Sequence, residues 1–237
     1  MSKIIITAVD ETDLDSFKKV IDSLDPNFCM LKIGSVSFNA FGHEAVIYAS
    51  NKGFDVFLDL KFHDIPNTVK KSIEAIKSLP ISMITIHISG GRQMIQSAMD
   101  AVKGTKIRIF GVTALTSLSS EDTNQIFQRN ADDQVKAMLN LAEESGIDGV
   151  VCSPHELNLV SKRKRLLSIT PGIRLTNATD DQTRVMTPKQ AIELGADYLV
   201  IGRPITASNN ISKSLKEIYM SIQWKIKAYL IIFLKMI

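Results

Sequence analysis

The stretch from Asp55 to Val69, DVFLDLKFHDIPNTV, carries the residues of this chain best spaced to do chemistry. A β-branched apolar run leads into Asp59 and Lys61, and in an extended strand side chains two apart share a face. Asp59 and Lys61 should therefore point one way while Leu58 and Leu60 point the other, and Asp64 follows just past the strand. One ammonium would then be flanked by two carboxylates, whose attraction keeps Lys61 protonated. Ionisable groups at the end of a buried strand are costly unless paired. A protonated amine held in this way is able to stabilise developing negative charge and then donate its proton. The same D-x-K-x-x-D spacing also describes a salt-bridge cluster that only orders a loop, and spacing alone does not separate the two.

A second group of residues suits an anion. Gly202-Arg203 follows the apolar run YLVI, joining a residue that lets the backbone approach a ligand to a guanidinium fork that matches phosphate oxygens. An isolated Gly-Arg pair is more often a turn, so its position in the fold decides its weight. The segment from Leu175 to Arg184, LTNATDDQTR, is poor in apolar residues and reads as an exposed loop, from which Gln182 would close over a ligand as a lid.

These groups need a scaffold, and the chain repeats one pattern from end to end. Short β-branched runs near 4–10, 30–34, 55–61, 83–88, 106–113, 149–153, 166–171 and 198–202 alternate with longer stretches able to form helices. Eight such units predict an α/β chain folded as one closed (β/α)8 TIM barrel. Pro66 suits the first turn of a helix beginning after Asp64, and Gly53, Gly146 and Gly195 fall where helices should end. In a barrel of this kind catalytic groups gather at the C-terminal ends of the strands, and phosphate is often held by the loops after strands seven and eight. That rule puts Asp59 and Lys61 at the mouth, with Gly202-Arg203 and the polar loop beside it.

Composition narrows the field further. With 237 residues and 45% apolar content the chain is long enough for one full core, which is expected to span 1–222. A net charge of +3 within a large balanced population of both signs makes no case for a nucleic-acid partner. The basic run Lys162-Arg163-Lys164-Arg165 reads as the solvated end of the sixth helix. Cys29 and Cys152 are far apart and lack metal-ligand spacing, and the N-terminus lacks the pattern of a secretory signal, so a reducing cytoplasm is the expected location. The tail at 223–237 contains WKIKAYLIIFLKMI, which is shorter than the roughly 20 residues needed to cross a bilayer. It is expected as a packed terminal helix without stable membrane insertion. His87 shares a strand face with Thr85 and Ser89 and is expected to support the pocket floor through hydrogen bonds, while His63 should order its loop.

With Phe62-His63-Asp64-Ile65-Pro66-Asn67-Thr68 following Lys61, the run closely resembles the signature of the orotidine 5'-phosphate decarboxylase family. The resemblance covers nearly the whole chain. Ala8-Val9-Asp10, Leu31-Lys32-Ile33-Gly34, His87 to Gly91, Val112 to Ser117, Thr170 to Arg174, Asp181-Gln182 and Ile201 to Thr206 look like family segments in family order. It implies conversion of orotidine 5'-phosphate to UMP and CO2 at the end of pyrimidine nucleotide synthesis, without metal or organic cofactor. By the same resemblance Asp10 and Lys32 bind ribose hydroxyls, Lys32 joins Asp59, Lys61 and Asp64 in an alternating charged network, and Lys61 is the proton donor. Thr116 hydrogen-bonds the pyrimidine ring, and Pro171, Arg174, Gln182, Gly202 and Arg203 are further substrate-binding positions. Asp64, Ile65 and Thr68 would reach into the site of a partner subunit in a homodimer. Related barrels that decarboxylate or cleave sugar phosphates share the Asp-x-Lys-x-x-Asp run but use magnesium. The longer HDIPNTV context and the segment GVTALTS favour orotidylate.

Overall fold

A computed structural model describes residues 4–115, 117–174 and 186–234, with Ser120 and 223–234 described as backbone only. Eight parallel strands pair in sequence order and close on themselves: β1 (Ile5–Val9), β2 (Cys29–Gly34), β3 (Val56–Phe62), β4 (Met83–His87), β5 (Arg108–Val112), β6 (Gly149–Val151), β7 (Leu167–Thr170) and β8 (Tyr198–Ile201). The closure is made by β1, which pairs with β2 on one side and β8 on the other. This is the (β/α)8 barrel that the alternating pattern predicts, with strand limits differing from the expected ones by a few residues.

The two-residue period of each strand sorts the side chains into two cores. Ile6, Ala8, Met30, Phe57, Met83, Phe110, Ile169 and Val200 fill the inside of the barrel. The alternate residues, such as Ile5, Leu31, Leu58 and Ile84, pack outward against the helices in a larger cluster. Phe110 meets Phe57 and Tyr198 edge-on at centroid distances of 6.5 and 6.2 Å. Arg108, the first residue of β5, donates to the Tyr198 hydroxyl at 3.0 Å. These side chains close the N-terminal end of the barrel, so the C-terminal end is the open one.

Connections are more elaborate than one helix per strand. Two helices, Ser35–Phe41 and His43–Asn51, separate β2 from β3, and two more, Ser120–Phe127 and Ala131–Ser145, separate β5 from β6. Pro66 is the first residue of the helix Pro66–Ile76, where its missing N–H has no partner to lose. Gly53, Gly146 and Gly195 follow helices with φ of 86°, 72° and 96°, in keeping with their expected place. After β6 the helix is only Leu157–Val160, so the basic run at 162–165 lies in the turn beyond it. There Arg163 donates to Glu143 at 2.8 Å and to Asn140 at 2.6 Å, tying the turn to the preceding helix. Cys29 and Cys152 are both free and buried. The last helix, Ile211–Leu234, docks its first half through Leu215, Ile218 and Ile222. Among the described residues no helix is long and apolar enough to cross a membrane.

Candidate active site

The mouth of the barrel opens into a cavity of about 610 Å³. Each strand contributes on the parity set by the inner core, so residues two beyond an inner apolar side chain face the opening. Phe57 leads to Asp59, Ala8 to Asp10, Met30 to Lys32, and Val200 to Gly202. Four cations, Lys32, Lys61, Arg174 and Arg203, and three carboxylates, Asp10, Glu11 and Asp59, line the same space.

Asp59 is the centre of the charged chain. Its Oδ2 lies 2.8 Å from Lys61 Nζ and 3.6 Å from Lys32 Nζ, and Lys32 Nζ lies 3.3 Å from Asp10 Oδ1. Burial pushes the Asp59 carboxyl up, but the two ammoniums and the hydrogen bonds from Lys61 and Thr85 outweigh it and hold it below the usual carboxylate range. The order Asp10, Lys32, Asp59, Lys61 thus alternates in sign along one wall. Gly34 makes room for it: a Cβ there would stand 2.7 Å from Lys32 Nζ.

The route by which Lys61 reaches Asp59 differs from the regular alternation expected of the sequence. Phe57 and Leu58 pair with Met83 and Ile84, but Phe62 pairs with Ile86, so β3 bulges between Leu58 and Phe62. Lys61 sits in this bulge with φ 51°, in the left-handed region. Asp59 and Lys61 meet through the bulge. Thr85 fills the gap it leaves, accepting from Lys61 N–H at 2.8 Å and donating to Asp59 Oδ1 at 2.9 Å.

Asp64 corrects the expectation that two carboxylates of one chain flank Lys61. It is exposed in the turn after β3, where its Oδ1 accepts from Ile65 N–H at 2.6 Å, and it makes no ion pair with Lys61 within the chain. The reason is geometric: the chain turns away from the mouth to start the helix at Pro66. Ile65, at 67% exposure, and Thr68 share that outward surface and do not line the cavity.

Of the other expected site residues, Asp10, Lys32, Pro171, Arg174, Gly202 and Arg203 all line the cavity. Arg174 is buried and its guanidinium donates to Ile173 O at 3.1 Å. Arg203 opens the short helix Arg203–Thr206 directly after Gly202. Thr116 and Gln182 lie outside the described residues, as does the polar loop at 175–184, although Ala114 and Leu115 beside Thr116 line the cavity. The His63 and His87 rings meet at a tilt of 39° with centroids 5.1 Å apart, and Ser89 Oγ is 3.4 Å from His63 Nε2. Burial, and then the His63 ring and Lys61, lower the His87 imidazole below its ordinary value. Glu11, Gly34 and Thr85 were not singled out as site residues by the sequence. Glu11 and Gly34 adjoin signalled positions, and strand parity gives Gly34 the face of Lys32. Thr85 is linked to Asp59 only by a strand pairing 26 residues away.

Comparison with known proteins agrees with this architecture. The model of the family described as "Orotidine 5'-phosphate decarboxylase / HUMPS family" matches residues 3–218. The chain belongs to this family. Two similar decarboxylase relatives are the orotidine 5'-phosphate decarboxylases of Saccharophagus degradans, 43% identical over 90% of this chain and 92% of that protein, and of the Wolbachia of Culex pipiens, 44% identical over 92% and 98%. Among solved structures, the orotidine 5'-phosphate decarboxylase of Lactobacillus acidophilus superposes with a TM-score of 0.82 at 33% identity, covering 93% of this chain and 99% of its own.

Proposed function

We propose that this chain decarboxylates orotidine 5'-phosphate to UMP and CO2, the final step of UMP synthesis, as a cofactor-independent cytoplasmic enzyme. The observation that carries the reading is the alternating chain Asp10, Lys32, Asp59, Lys61 on one wall of a cavity that also holds two guanidinium groups. Breaking the bond from C6 to the carboxylate leaves an electron pair in the plane of the pyrimidine ring, where the π system does not delocalise it. A fixed ammonium beside C6 compensates that charge as it develops, and Lys61 then transfers its proton to C6 and regains one from water. Asp59 keeps Lys61 protonated and oriented. The phosphate is held by Arg203 with the backbone at Gly202, and Arg174 contributes from the neighbouring wall, with Pro171 shaping the same side. Gln182 closes over the phosphate, and Thr116 fixes the register of the ring. This remote binding energy is used to hold C6 against Lys61.

The reading is completed by a second subunit. Asp64, Ile65 and Thr68 form an outward surface on the rim, and in a two-fold dimer each Asp64 supplies the carboxylate its partner's Lys61 lacks. Magnesium chemistry of the sugar-phosphate type is disfavoured because both ammoniums already engage the Asp59 oxygen a divalent cation would need.

The test is direct. Purified protein in EDTA should convert the ultraviolet spectrum of orotidylate to that of UMP, and Lys61→Ala should remove that activity while leaving the fold intact. Activity lost to EDTA and restored by magnesium would refute the mechanism, as would a folded Lys61→Ala variant within about tenfold of the parent.

A further inference from the structure

Thr85 lies on the inner face of β4, two residues after Met83, and is fully buried. It does not line the cavity. The bulge in β3 frees the Lys61 N–H from the strand ladder, and Thr85 Oγ1 takes it up at 2.8 Å. An amide N–H only donates, so the hydroxyl must be the acceptor there and its one hydrogen is available for another partner. That partner is Asp59 Oδ1, at 2.9 Å. With Oδ1 engaged, Oδ2 is left to meet Lys61 Nζ at 2.8 Å and Lys32 Nζ at 3.6 Å.

We infer that Thr85 is a positioning residue for decarboxylation: one hydroxyl, with its donor and acceptor roles fixed, sets both the plane of the Asp59 carboxylate and the backbone of Lys61. This rests on the proposed reaction, in which Lys61 must be aimed at C6. A strand residue that only packed here would need no hydroxyl, since valine has the same shape and an equal liking for strands.

The experiment compares Thr85→Val and Thr85→Ser with the parent. Valine leaves the Lys61 N–H and Asp59 Oδ1 without partners, so kcat should fall about thirtyfold or more while KM for orotidylate and the Kd for UMP change less than about threefold. Serine keeps the hydroxyl and should restore kcat to within about fivefold of the parent. The acid limb of the kcat profile of Thr85→Val should also move to higher pH, because Asp59 loses a hydrogen bond that favours its ionised form. Thr85→Val with kcat within about threefold of the parent overturns the inference, as does a loss that serine fails to rescue. Should valine prevent folding, Thr85→Ser against Thr85→Cys makes the same comparison, and equal kcat values overturn it. An inactive parent would instead sink the proposed reaction. The inference would then be decided by the crystal structure of Thr85→Val or Thr85→Cys, where an unchanged Lys61 φ and Asp59 to Lys61 distance count against it.

Discussion

Gly34 ends β2 with φ −95°, a conformation open to any residue, and follows Lys32 by two positions. In Gly34→Ala the new Cβ would meet Lys32 Nζ at 2.7 Å and Asp10 Oδ1 at 3.0 Å, with Asp59 O more distant at 4.0 Å. The nearest obstacle is the tip of a flexible side chain, so the fold yields at little cost and the ammonium moves. Restoring an ordinary contact of about 3.4 Å requires Lys32 Nζ to retreat by about 0.7 Å. A retreat directed away from Asp59 lengthens the separation from its Oδ2, 3.6 Å in the parent, to about 4.3 Å. With an effective dielectric of about 20, the attraction weakens from about 4.6 to about 3.9 kcal/mol. That difference alone is about 3.5-fold in rate if the transition state feels it in full, and displacement from Asp10 adds to it. We expect kcat/KM for orotidylate to fall by about three- to tenfold. Stability should barely change, because the lower chain entropy of alanine in the unfolded state offsets its poorer fit before the helix Ser35–Phe41. Melting temperature should stay within about 3 °C of the parent. A continuous absorbance assay and a thermal melt on the same preparation measure both. Activity within twofold of the parent at unchanged stability would refute the claim that Lys32 must sit where it does.

Arg203→Ala should lower kcat/KM by at least about thirtyfold, the equivalent of ~2 kcal/mol from a lost charge-assisted contact to phosphate, and a loss under threefold in steady-state kinetics would remove Arg203 from the phosphate site. Equal amounts of Asp59→Ala and Asp64→Ala chains, each inactive alone, should recover about a quarter of parental activity after subunit exchange, since half the dimers carry one intact site of two. No recovery despite exchange, followed by native mass spectrometry, would count against a shared site. His87 has its folded pKa below the unfolded value of 6.5, so the unfolded state takes up the proton first and stability falls as pH drops below 6.5. His87→Gln should therefore flatten the decline in melting temperature between about pH 7 and about pH 5; an unchanged slope would exclude His87 as its source. Asp59, with its pKa lowered from 3.8, contributes stability that is lost only at more acid pH and does not enter that window.

The barrel was legible because the strands are compact apolar runs and several helix boundaries are punctuated, as at Pro66 and Gly146. Asp59 and Lys61 were legible from their spacing at the end of an apolar strand, whereas Lys32 and Asp10 entered only through the family resemblance. The bulge was not. DVFLDLKF alternates like any regular strand, and only the pairing of Phe62 with Ile86 reveals the extra residues. Thr85 was hidden for the same reason, since its hydroxyl acquires a role only when β4 is laid beside an interrupted β3. Spacing alone would send Asp64 toward Lys61 of its own chain, but the turn that launches a helix redirects it to the outward surface from which the resemblance has it reach a partner's site.

Lys61 occupies a conformation, φ 51°, in which glycine or asparagine would be more comfortable. A redesign guided by thermal tolerance alone would therefore rank this amine among the first side chains to replace, and the sturdier product would have surrendered the group proposed as its proton donor. Any effort to harden this enzyme must exempt that one position from its scoring.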